Sequence, residues 1–142
     1  MAWTTENKAQ TIASIDAGMT QGKAFAERTA AKLAAGTQSS VILDVYLRAT
    51  DEGKRLAGAA LIDGIAELIV AEKGADALAT VGAMLEKVEE IKAWIVANFP
   101  TDADGYLSAR SITDDGIAER QFSAAEVGGL KTLLEELAAL VV

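Results

Sequence analysis

Apolar residues return at alternating steps of three and four along most of this chain, which predicts a mostly helical protein built from amphipathic helices. The clearest case is the stretch from Asp76 to Asn98, where Leu78, Val81, Leu85, Val88 and Ile95 form a stripe that Met84 and Ile91 widen. Glu86, Lys87, Glu89, Glu90 and Lys92 fill most of the opposite face, and Phe99-Pro100 supplies a stop, because the residue before proline is pushed out of the helical region. Asp76 is the expected N-cap. Upstream, Ile12, Ile15, Met19, Gly22, Ala26, Ala30 and Leu33 trace a stripe rich in small residues, capped by Thr4 or Thr5 and ended by Gly36. Gly18 and Gly22 either permit close helix crossing within one continuous helix or divide it in two; the continuous form is the favoured reading. A short polar connection, Thr37 to Ser40, follows.

Val41 to Ala49 has the β-branched and aromatic content of a strand, yet Val41, Val45 and Arg48 sit at helical spacing and Ser40 can cap them. Helix is the favoured reading, with Thr50 or Asp51 as a second starting point. Leu56, Ala60, Leu61, Ile65, Leu68 and Ile69 continue in helical register to Gly74, and the short link to Asp76 predicts an antiparallel hairpin with the Asp76–Asn98 helix. After Pro100 the texture becomes polar. Ile112, the Asp114-Asp115-Gly116 corner and Ile117 fit a small β-hairpin, with an irregular arm as the alternative. Ser123 through Glu126 is a capping-box pattern, and Val127, Leu130, Leu134, Leu137 and Val141 predict a terminal helix broadened by Leu133 and Leu140.

These elements predict an all-α fold of three to five helices in a bundle or packed hairpins. The division is a helical body over 1–100, a polar arm or hairpin over 101–122, and a C-terminal helix over 123–142 that packs on the body or on a neighbouring subunit. Alanine accounts for 29 of the 142 residues. It favours helix but buries little area, so composition predicts a thin core that association would enlarge.

Charge and residue type then narrow the chemistry. Lys and Arg total 13 against 21 Asp and Glu, a formal charge of -8, which disfavours general nucleic-acid binding because phosphate recognition needs positive surface. Histidine and cysteine are both absent. That removes disulfides, thiol nucleophiles, His-dependent triads and the common zinc sites. No stretch reaches 18 uncharged apolar residues, and Met1 to Glu6 lacks the basic and apolar parts of a signal peptide, so the expected setting is cytoplasmic or within a particle.

Asp102 and Asp104 have the spacing of two calcium ligands, but the twelfth position of such a loop falls on Thr113 and its glycine position on Leu107. A solvent-facing turn is the expectation. Asp114 and Asp115 read as turn residues beside Gly116, Glu89-Glu90 and Glu135-Glu136 as solvated helix faces, and Lys54-Arg55 as an exposed helix turn offset by Asp51 and Glu52. Neither phosphate-loop nor dinucleotide glycine spacing is present. No catalytic residue, metal ligand or cofactor is therefore expected.

Two function classes follow. The first is a non-enzymatic structural or adaptor protein acting by oligomerisation, with Val127, Leu130, Leu134 and Leu137 as interface candidates, together with Trp3 and with Tyr106, Ile112, Ile117 and Phe122 of the arm. Burial inside the same subunit is the competing account of each. The second is a helical protein that binds a small apolar ligand in a glycine-lined groove. The acidic, alanine-rich helical body, the polar arm around Tyr106 to Phe122 and the short helix from Ser123 resemble small structural proteins of tailed bacteriophage particles, including head, neck and tail components. That resemblance implies self-association and contact with other particle proteins, without catalysis or a cofactor.

Overall fold

In the computed structural model, residues 4–61, 64–98, 110–113, 116–119 and 121–141 are described. Among these residues five helices and four short strands follow one another as α1 (Thr5–Leu33), β1 (Thr37–Gln38), α2 (Ser39–Leu61), α3 (Ile65–Lys73), α4 (Ala75–Asn98), β2 (Arg110–Thr113), β3 (Gly116–Glu119), β4 (Gln121–Phe122) and α5 (Gly128–Ala139). The fold is all-α with minor antiparallel pairing.

Local chemistry sets the helix ends. Thr4 has extended backbone angles and its Oγ1 accepts the Asn7 N–H at 3.1 Å, which satisfies one of the unpaired donors at the start of α1. α1 then runs unbroken through Gly18 and Gly22. It ends before Gly36, whose φ of +87° favours glycine and whose N–H donates to the Leu33 carbonyl at 3.1 Å. Gly74, at φ +98°, donates to the carbonyls of Ile69 and Val70 at 3.1 and 2.9 Å and closes α3. Asn98 Nδ2 donates to the Trp94 carbonyl at 2.9 Å at the end of α4. The proposed stop at Phe99-Pro100 lies outside the described residues.

Four expectations shift. Val41 to Ala49 is helical, but α2 begins at Ser39 and runs to Leu61, so Thr50 and Asp51 start nothing. The break comes instead at Gly64, whose φ of +86° divides the run from Leu56 to Ile69 into α2 and α3. α4 begins at Ala75, which puts Asp76 in the first turn, where its carboxylate suits the helix dipole, and not at the cap. The connection after α1 is part strand: Thr37 pairs with Phe122 and Gln38 with Gln121 in antiparallel register.

α4 organises the interior. Val81, Met84, Val88, Ile91 and Ile95 are each at most 1% exposed, a cleaner three-four stripe than the predicted one, and Leu78 and Leu85 sit at its margins. Burial of such side chains stabilises by about 1.5–3 kcal/mol each, as an upper estimate. α2 covers α4 most extensively, with α3 and α5 adding to it, while α5 lies mainly against α1. The buried set is mostly Leu, Ile, Val and Met, with alanine at Ala26, Ala30, Ala49 and Ala138. Alanine content therefore does not thin the core as composition predicts; most alanines lie elsewhere.

Candidate functional site

The residues nominated for association fall into three groups. Trp3 and Tyr106 lie outside the described residues, as do Asp102, Asp104, Asp114 and Asp115. Val127, Leu130, Leu134 and Leu137 are fully buried and Phe122 is 2% exposed, all within one continuous core. The chain's own elements cover these five, so they offer no side-chain surface to a partner, and the α5 stripe belongs to the subunit's interior. The physical reason is the seat of α5 across α1 and α4, which use it to complete their own apolar faces.

The segment that starts α5 is built as its sequence implies. Ser123 Oγ accepts the Glu126 N–H at 3.2 Å while Glu126 Oε1 accepts the Ser123 N–H at 3.1 Å, a reciprocal capping box. It encloses a turn over 124–127 before regular helix begins at Gly128. Gly36 is tied to the same place. A Cβ built there would lie 2.5 Å from the Phe122 carbonyl oxygen, so the β1–β4 pairing needs glycine for close approach as well as for φ.

Ile112 and Ile117 form the third group. β2 and β3 make an antiparallel hairpin in the register Arg110↔Glu119, Ser111↔Ala118, Ile112↔Ile117 and Thr113↔Gly116. Gly116 is therefore a strand residue opposite Thr113 and not the corner. Among the described residues β2 and β3 pair only with each other, and neither makes an extensive contact with a helix.

The helical body has its own relief where α1 faces α2. One groove of about 220 Å³ is mostly apolar, lined by Ile15, Gly18, Met19, Leu56, Ile65 and Val81 among others. Gly18 and Gly22 fit here by close approach: a Cβ at Gly18 would lie 3.1 Å from Arg55 Cδ, and one at Gly22 2.9 Å from Met84 Cε. Nearby, Glu52 is 8% exposed and accepts Arg55 Nη1 at 3.1 and 3.0 Å through its two oxygens. A second groove of about 260 Å³ lies further along the pair, and Phe25, Thr29, Val45 and Arg48 are among its walls. The sequence pattern nominated neither Phe25 nor Thr29, although both lie on the buried side of α1 with Gly18 and Gly22.

Charged faces behave as expected of solvated helices, with ion pairs that also link elements: Lys8 with Glu72 and Lys73 with Asp16 between α1 and α3, and Lys87 between α4 and α5. Lys87 Nζ lies 2.6 Å from Glu90 Oε2 and 3.3 Å from Glu136 Oε2, which ties α4 to α5. The hydrogen bond to Glu90 raises the Lys87 pKa above 10.5, with Glu136 adding to it and desolvation opposing. Glu89 pairs with Lys92 and Glu135 with Lys131. Among the described residues no group of three or more carboxylates is placed to hold a metal ion, and no helix is long and apolar enough to cross a membrane. No family model matches the chain, and neither a curated protein nor a solved structure shows significant similarity to it.

Proposed function

We propose that this chain is a non-enzymatic structural or adaptor protein that acts by association, with the helical body as a rigid mount and the β2–β3 hairpin as the element that meets a second copy. The observation that carries the reading is the hairpin's isolation: among the described residues its strands pair with each other and have no extensive helix contact. Two strands alone are marginal in water, and unpaired strand edges invite a further strand. The register sets Ile112 opposite Ile117 and Arg110 opposite Glu119. A head, neck or tail position in a phage particle is the setting that the sequence resemblance suggests for such an element.

Light scattering across a range of concentrations tests the proposal. Mass should rise with concentration, and Ile112→Asp with Ile117→Asp should hold the protein at monomer mass while far-ultraviolet circular dichroism stays unchanged. A wild-type chain that remains monomeric throughout would contradict it.

The apolar groove beside Gly18 favours a second reading, a helical carrier of a small apolar ligand. Its volume of about 220 Å³ and its Ile15, Met19, Leu56 and Val81 walls suit a compact hydrocarbon-like group. A fluorescent apolar probe should then bind stoichiometrically and be displaced by Gly18→Leu. Binding unaffected by that substitution removes the groove from consideration.

A further inference from the structure

In an acidic chain, a cation is expected to find a carboxylate. Lys8, Lys23, Arg48, Arg55, Lys73, Lys87, Lys92 and Lys131 all do so. Arg28, Lys32 and Lys54 do not, and no hydrogen bond engages their side chains among the described residues; Arg28 and Lys32 differ from Lys54 in lying together at one groove. These two are four residues apart on α1, a like-charge spacing that disfavours the helix unless something negative lies between them. Both line the 260 Å³ groove, and Arg48 faces them from α2.

Two details give this corner the form of a binding site. Asp44 Oδ2 accepts Arg48 Nε at 2.8 Å, which fixes the guanidinium while its two Nη groups remain free to donate. Thr29, only 6% exposed, lies on the groove wall between Phe25 and Lys32. Its hydroxyl makes no hydrogen bond within the described chain, yet no buried side-chain polar atom is left closed off without a partner. The unpartnered hydroxyl is therefore accessible, on a residue that lines the groove.

We propose that this groove binds a phosphate group, either free or carried as a monoester on a small molecule. Arg28, Lys32 and Arg48 supply three positive charges against the single Asp44, and Thr29 supplies a neutral donor from the wall. Such a set matches a compact dianion, for which charge-assisted hydrogen bonds from arginine are strong and directional. A polyanion is disfavoured by the chain's charge of -8, which confines attraction to this corner. Phe25, Val41 and Val45 add apolar wall beside the charges, suited to the organic part of a monoester.

Calorimetric titration of the full chain with inorganic phosphate and with phenyl phosphate, at fixed ionic strength in chloride, tests the site. At least one should bind saturably. Arg28→Gln and Lys32→Gln should each weaken that binding about tenfold. Thr29→Val should weaken it without a change in charge, and Thr29→Ser should restore it. Lys54→Gln, which removes an unpaired cation outside the groove, should leave affinity unchanged. Tighter binding of phenyl phosphate assigns the site to monoesters, and equal or weaker binding to the free ion. Absence of saturable binding to either, or an equal loss in Lys54→Gln and Arg28→Gln, would overturn the proposal.

Discussion

The terminal helix and the β2–β3 hairpin both carry residues that the sequence nominates for association, and the structure treats them differently. α5 places Leu130, Leu134 and Leu137 wholly inside the subunit, against α1 and α4. The hairpin aligns Ile112 with Ile117 and has no extensive helix contact among the described residues. Three-four periodicity says that a face will be covered; it is silent on which molecule does the covering. What decides is whether the chain's other faces are already satisfied, and without α5 those of α1 and α4 are not.

The sharpest way to break this contrast is to charge the α5 face. Leu130→Asp with Leu134→Asp should abolish cooperative unfolding and most helicity, since each change removes about 2–5 kcal/mol of packing and adds an unpaired buried charge. Retained helicity with altered mass would return these residues to an interface role. Gly36→Val comes next. It combines an unfavourable positive φ with a clash against the Phe122 carbonyl, and should cost about 2–4 kcal/mol in chemical denaturation. An unchanged denaturation midpoint would show that the β1–β4 tie is unimportant to the body.

Smaller effects refine the same picture. Ser123→Ala removes half of the capping box and should cost about 1 kcal/mol, read as a lower thermal midpoint. Lys87→Met should cost less than about 1 kcal/mol, because Glu90 and Glu136 are half-exposed and water screens the pairs. The pH dependence has a definite sign. Since the folded-state pKa of Lys87 is raised, its contribution is complete below 10.5, the unfolded value, and is lost as pH rises through the folded one. The wild type should therefore lose its advantage over Lys87→Met in alkali, and a difference that widened there would contradict the assignment.

Much of the helical body could be read from the chain because its determinants are local. Thr4 capping, the Gly36 and Gly74 ends, the Ser123–Glu126 box and the α4 stripe each depend on residues within a few positions of one another. The β1–β4 pairing was not legible, because two-residue strands have no period and their partners lie more than 80 positions apart. Nor was the break at Gly64, where a helical register continues across a glycine that the backbone takes to positive φ. The α1–α2 groove was hidden for a different reason. Arg28, Thr29, Lys32 and Arg48 belong to no motif in the sequence, and only the fold brings them to one groove.

The central claim is that the body is self-sufficient and the hairpin is what associates. Concentration-dependent light scattering of the wild type beside Ile112→Asp with Ile117→Asp tests it most directly. The account predicts a wild-type mass that climbs above 14.8 kDa and a variant that stays at monomer mass with the same thermal midpoint. Two proteins with identical mass at every concentration would contradict it.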